Sequence, residues 1–290
     1  MINLGERRMI KVICVTSGGG DSIANGLMML TQGNEVIFLH IPHGQKCAIG
    51  EKLACQAIVD ELKRKHYPCS LQIVEFPWLG EIGGSGLTDK EIPVPDGLEG
   101  VYGSTITKIF TPNRNSILLG IAGALAEREK AEYVTFGANR AEEAYPDNTK
   151  DYLDTYTEVL KYSCYHIHPK VISPEWEMDK VEIYRWIIDN GFDWVLSKSW
   201  SCDNYPHYLV SQPTKREHIL PDGYCGCCRN KQISHFILRE MYGEKYSDTM
   251  VYANSHWFGE TFLPTIKVKG IPKRKWFSKY ANILGCEVIE

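Results

Sequence analysis

At 290 residues, 43% of them hydrophobic and 23% charged, the chain can bury a full core, which excludes an intrinsically disordered protein. A net charge of -4 draws it neither to a phosphate backbone nor to an anionic membrane surface, and no apolar run approaches the roughly 20 residues of a membrane span. The N-terminus shows no charged-then-apolar export signal, so a cytoplasmic protein is expected, with its ten cysteines reduced or metal-bound rather than paired in disulfides.

In chain order, Ile10 to Val15 is a β-branched apolar run that predicts a strand. It ends in Ser17-Gly18-Gly19-Gly20-Asp21-Ser22, after which Ile23, Leu27 and Leu30 share one side of a predicted helix. A second strand at Glu35 to Ile41 precedes an amphipathic helix from about Ala48 to His66, and a third strand is expected near Leu71 to Phe76. The Gly- and Pro-rich excursion from Pro77 to Pro112 is too long for a plain connection and reads as a lid or part of a site. Ser116 to Glu129 then reads as a buried helix and Tyr133 to Phe136 as a buried strand. Asp179 is placed to N-cap a helix running to Asn190, with Glu182 three residues on and Gly191 as its stop.

Alternation of this kind predicts right-handed βαβ units, and so an α/β fold with a Rossmann-like parallel sheet that takes ligands at the carboxyl ends of its strands. From about Ser197 the rhythm is lost and Cys, His and Trp accumulate. The expected organisation is a catalytic domain over residues 1–196, a metal-bound subdomain over 197–242 and an extension over 243–290.

Between the first strand and first helix, the run from Ser17 to Ser22 is placed as a phosphate loop must be. Glycines let successive N–H groups approach one anion, and the helix N-terminus adds its dipole. Ser17 and Ser22 offer hydroxyls, and Asp21 a carboxylate for Mg2+. The run is neither a Walker A loop, since no Gly-Lys-Ser/Thr is present, nor a dinucleotide fingerprint, because Asp21 would repel a bare pyrophosphate. The bland alternative is a Gly-rich connection with a capping Ser or Asp.

Ser-Gly-Gly-x-Asp-Ser is the pyrophosphate-loop motif of the N-type ATP pyrophosphatases, and later segments resemble one branch of them, the 7-cyano-7-deazaguanine synthases of queuosine biosynthesis. The resemblance rests on Gly44-Gln45-Lys46, Leu87-Thr88 with Ile92-Pro93, Pro112-Asn113-Arg114-Asn115, Gly137-Ala138-Asn139, Tyr145-Pro146-Asp147, Met178-x-Lys180-x-Glu182-Ile183 and Trp200-Ser201-Cys202, in order between Ser17 and Phe236. It implies an adenine-nucleotide alpha-hydrolase fold with a small zinc-binding subdomain. The implied reaction adenylates 7-carboxy-7-deazaguanine with pyrophosphate release, then amidates and dehydrates it to the nitrile. ATP and Mg2+ would meet Ser17, Gly18, Gly19, Gly20, Asp21, Ser22, His40, Arg114 and Gly137, with Asp21, Ser22 and Arg114 catalytic. Gln45, Asn115, Asn139, Tyr145 and Asp147 would read the deazaguanine. Cys202, Cys225, Cys227 and Cys228 would hold Zn2+, with His207 and His218 as alternatives for the fourth ligand.

The chain departs from the family pattern at Asn148-Thr149, where Cys-Arg is usual, at Asn113, where Gly is usual, and at Pro42-His43, where Asp-Tyr is usual. These departures and the extension keep two alternatives open. One passes the activated deazaguanine to another amine, such as that of a protein or peptide, in place of ammonia; the other is a tRNA-modifying pyrophosphatase. A non-catalytic zinc-ribbon module is the reading from outside enzymology. The basic segment Lys267 to Lys275, with Trp276, reads as a solvated face rather than a nucleic-acid site. A homodimer is the expected assembly.

Overall fold

The computed structural model describes residues 8–103, 106–139 and 145–290; residues 1–7, where no export signal is read, lie outside these. The strands β1 (Lys11–Val15), β2 (Glu35–His40), β3 (Cys69–Ile73), β4 (Tyr133–Thr135) and β5 (Lys170–Ile172) form one parallel sheet in the order β3-β2-β1-β4-β5. The principal helices are α1 (Gly20–Thr31), α2 (Ala48–Arg64), α3 (Arg114–Glu129), α4 (Lys150–Ser163), α5 (Lys180–Asp189) and α6 (Gly226–Tyr242).

Successive side chains of a strand point to opposite faces, and β1 is apolar throughout, so both faces of the sheet must be covered. Val12 and Cys14 pack with α1, α2, α5 and α6 on one face, and Ile13 and Val15 pack with α3 and α4 on the other. Gly26 lets α1 lie close on β2, since a Cβ there would fall 2.2 Å from a ring carbon of Phe38. The side-chain carboxylate of Asp179 accepts from Val181 and Glu182 N–H while Glu182 reaches back to the Asp179 N–H, the reciprocal cap expected from the sequence.

Residues beyond 197 share the same interior. Ile233, Ile237, Phe262, Ile266, Ile271 and Phe277 are fully buried in the cluster that holds Val12 and Ile187. The sheet order reverses between β1 and β4, which opens a crevice at their carboxyl ends. Among the described residues no helix is long and apolar enough to cross a membrane.

Candidate active site

The loop that leaves β1 is shaped by three glycines. Gly18 adopts φ +75°, and a Cβ on it would lie 2.8 Å from the carbonyl oxygen of Glu51. One on Gly20 would lie 2.7 Å from the ring of Tyr184. Around the turn, Ser22 Oγ sits 3.2 Å from each of Thr16 Oγ1, Ser17 Oγ and Ser17 N, while Gly18 N–H donates to Thr16 Oγ1 at 3.0 Å. Ser22 therefore holds the loop in shape. No side chain caps α1, so its first-turn N–H groups remain available to an anion. Gly137, just past β4, brings its backbone against Ser22, where a Cβ would stand 3.3 Å from Ser22 Cα.

This loop floors a cavity of about 270 Å³ lined also by His40, His43, Glu51, Arg114, Lys180 and Tyr184. Lys180, the first residue of α5, donates to Asp21 Oδ2, and Asp21 Oδ1 is buried without a hydrogen-bond partner. An unsatisfied carboxylate oxygen beside a phosphate loop fits a hard divalent cation, so the residues present suit Mg2+. Lys180 belongs to a motif quoted from the sequence, yet spacing there assigns it no role; its place at the cap of a helix two strands away is a tertiary fact. His40 bonds through Nδ1 to the Thr16 carbonyl oxygen at 3.0 Å, and burial pushes it down to about 4, leaving the ring neutral with Nε2 unpartnered toward the cavity. Burial likewise pushes Glu51 up to about 7, against the bonds it accepts from Gln45 Nε2 at 2.5 Å and from Cys47.

Arg114, Asn115, Phe136, Gly137, Asp203 and Cys227 line this cavity and also a second one of about 340 Å³. Arg114 opens α3 directly after Asn113, whose φ of +60° is the left-handed turn that Asn tolerates in place of Gly. Its Nε donates to Asn115 Oδ1 at 3.1 Å, and Asn115 Nδ2 donates to the Asp147 carbonyl oxygen at 3.0 Å. Tyr145 and Asp147 also line the second cavity, and Tyr145 stacks on Phe110 with ring centroids 6.2 Å apart. Gln45 and Asn139 line neither. Gln45 is buried, accepting from His43 N–H at 2.7 Å and donating to Glu51, so it orients the cavity wall from behind; Asn139 is buried as well.

The cysteines behave differently from their spacing. Cys202, Cys225 and Cys228 gather with Asp222, all buried, with ligand atoms within 4.8 Å of one another. Cys227 stands apart, in the wall of both cavities, its thiol on the Asp203 carboxylate, and His207 and His218 are outside the group too. In Cys225-Gly226-Cys227-Cys228 the chain turns into α6, and the two cysteines three apart face the same side, whereas Cys227 faces the crevice. Backbone N–H groups of Asp222 and Cys228 approach Cys202 Sγ and Cys225 Sγ at 3.4 and 3.5 Å. Burial opposes ionisation of Cys202, yet the thiols of Cys225 and Cys228 bonded to it bring it down to about 6. Three thiols, one carboxylate and surrounding N–H donors suit a closed structural Zn2+ site. Lys231, three residues past Cys228, donates to Ser199 Oγ at 2.9 Å and to the Leu196 carbonyl oxygen.

The two centres are joined. Trp200 N–H donates to the Gly18 carbonyl oxygen at 2.8 Å, and Trp200 Nε1 to the Cys202 carbonyl oxygen at 2.7 Å, so the phosphate loop leans on the cysteine cluster.

A glycine-shaped anion loop at the switch point of a parallel sheet, faced by a lysine and an arginine, defines a phosphate-loop α/β protein. The family model described as queuosine biosynthesis protein QueC matches residues 11–234, and the chain belongs to that family. A 7-cyano-7-deazaguanine synthase of Methanococcus aeolicus is 32% identical over 61% of this chain and 76% of its own length. Those of Carboxydothermus hydrogenoformans and Campylobacter hominis are 32% and 26% identical over 67% and 84% of this chain, covering 89% and 100% of their own.

Proposed function

We propose that the chain cleaves ATP between its α and β phosphates to activate 7-carboxy-7-deazaguanine. A carboxylate oxygen attacks the α-phosphorus, the bond to the β-phosphate oxygen breaks, and pyrophosphate leaves behind an acyl-adenylate. Ammonia then displaces AMP to give the amide, and a second activation dehydrates the amide to 7-cyano-7-deazaguanine.

The observation that carries this reading is the floor of the first cavity. Gly18 and Gly20 admit no side chain, α1 is uncapped, and Arg114 and Lys180 stand over the loop. Such a site binds and neutralises a departing diphosphate by charge and position, without a protein nucleophile. Asp21 would hold Mg2+, which when bound neutralises phosphate charge. Cys202, Asp222, Cys225 and Cys228 would hold Zn2+ as a structural brace. Arg114 and Asn115, common to both cavities, are suited to bridge the nucleotide and the substrate.

A second reading keeps the adenylation and passes the acyl group to a larger amine, such as that of a protein or peptide. Arg274, Lys275 and Trp276 in the wall of the second cavity favour it, because ammonia needs no such wall.

The test is product analysis with ATP, 7-carboxy-7-deazaguanine and ammonia. AMP and pyrophosphate are expected, and the release of both falls steeply in Asp21→Asn. Release of ADP and orthophosphate would overturn the proposal.

A further inference from the structure

One wall of the second cavity comes from outside the family-matched span of residues 11–234. Arg274, Lys275, Trp276 and Phe277 belong to the tail, and they meet Arg229 of α6 there. This wall is anchored. Phe277 is fully buried in the main core, and the Arg229 guanidinium lies over its ring at 5.4 Å. The remaining lysines of the basic run divide from it: Lys267, Lys269 and Lys273 are exposed and line neither cavity, whereas Arg274, itself exposed, and half-buried Lys275 line the second cavity.

Among the described residues, the charges in this wall form no ion pair. Arg229 donates to the Gly97 carbonyl oxygen at 2.8 Å and to the Asn230 side-chain oxygen at 2.6 Å. Arg274 donates to the carbonyl oxygens of Val101 and Tyr102 at 3.4 and 3.3 Å. All these acceptors are neutral. Lys275 is half-buried, and burial together with the guanidiniums of Arg229 and Arg274 brings it down to about 8. No described carboxylate forms an ion pair with any of the three; of the acids in the lining, Asp96 caps the N–H of Glu99 at 2.7 Å, Asp203 is bonded to the Cys227 thiol, and Asp147, raised by burial, is opposed in that shift by the charge of Arg114. Like charges gathered in a partly desolvated wall cost free energy unless an anion completes the set.

We propose that Lys275, with Arg274 and Arg229, forms an anion site for a carboxylate on the molecule that occupies the second cavity. Phosphate is already provided for by the loop of the first cavity, and ammonium would be repelled by three cations. The flat ring of Trp276 beside them suits a planar ligand. What that ligand is rests on the adenylation reading above: the carboxylate belongs either to the deazaguanine before its activation or to the amine acceptor that follows.

Titration calorimetry tests this without turnover. The wild-type chain is expected to bind 7-carboxy-7-deazaguanine about tenfold or more tightly than uncharged 7-cyano-7-deazaguanine, the range of a hydrogen bond to a charged group. Lys275→Met loses that preference and Lys275→Arg keeps it. If the wild type binds the two alike, glycine and glycinamide are compared as acceptors in AMP release; a preference for glycine that disappears in Lys275→Met assigns the carboxylate to the acceptor. Absence of a Lys275-dependent preference in both arms overturns the anion site. Removing one of three repelling cations keeps the unfolding midpoint of Lys275→Met at or above the wild-type value, which separates lost binding from lost folding. Carboxylate binding without pyrophosphate release would overturn the adenylation reading alone.

Discussion

Lys180 donates to the carboxylate of Asp21 from 159 residues away in sequence, and both side chains are mostly withdrawn from solvent. The lysine is the first residue of a helix whose cap is closed reciprocally by Asp179 and Glu182, so its backbone is fixed. Tying one oxygen of Asp21 leaves the other, which is buried and unpartnered, committed to whatever binds at the loop. In the proposed reaction both residues would act on the same leaving group. Lys180→Met and Asp21→Asn are each expected to lower kcat/KM for ATP by about 10²- to 10³-fold. Steady-state pyrophosphate release should show the double variant no worse than the weaker single, because the pair acts as one unit.

The cysteine geometry separates two residues adjacent in sequence. Metal analysis of purified protein is expected to find about one zinc per chain, lost in Cys202→Ser, Cys225→Ser and Cys228→Ser but retained in Cys227→Ala. Asp222→Ala should weaken metal binding by about tenfold or more. Because Trp200 connects the cluster to the Gly18 carbonyl oxygen, the zinc-free variants should also bind ATP more weakly, whereas Cys227→Ala changes turnover and leaves the metal in place.

How much of this was legible in sequence follows from how local each feature is. The strand-loop-helix of Lys11 to Thr31 and the cap at Asp179 are written in a dozen neighbouring residues, and the structure has them where they are read. The three-residue strand β5 carries too few residues for a period, and α4, with Tyr, Thr and Lys on its open side, buries little more than Leu153 and Leu160. Asp222 as a member of the candidate metal-ligand group was hidden because a carboxylate in a loop has no spacing signature. Cys227 was expected as a ligand from the resemblance, and the first turn of α6 directs it to the cavity wall instead. The cavity role of Arg274 and Lys275 depends on Phe277 burying itself in a core that is otherwise built by residues far upstream.

Gly18 and Gly33 make a matched pair of left-handed positions, with φ of +75° and +81°. An added Cβ at Gly33 meets nothing within 4 Å, while one at Gly18 meets the Glu51 carbonyl oxygen at 2.8 Å and Ala54 Cβ at 3.0 Å. Gly33→Ala therefore costs the backbone penalty alone, about 1 kcal/mol, with ATP turnover intact. Gly18→Ala adds a backbone clash and should cost about 1–3 kcal/mol more and abolish turnover. Urea denaturation and pyrophosphate release on the two variants measure both effects.

Glu51 and His40 face the same cavity and pull the pH dependence of stability in opposite directions. Burial lowers His40, and likewise His43, to about 4, so the unfolded chain binds more protons than the folded one between there and the usual histidine value near 6.5, and stability rises with pH across that window. Burial raises Glu51 from 4.5 to about 7, so the folded chain binds the extra proton, and this contribution is full below 4.5 and lost as pH climbs through 7. Glu51→Gln keeps an oxygen for the Gln45 donor and removes the ionisation. At about pH 5, where the wild-type carboxyl is largely protonated, the variant should match wild type in stability. At about pH 8 it should be the more stable by roughly 1–3 kcal/mol, since the wild type then holds an uncompensated carboxylate beside the loop. Denaturant unfolding at the two pH values reads the difference directly, and equal gaps at both would mean that Glu51 titrates as an ordinary surface acid.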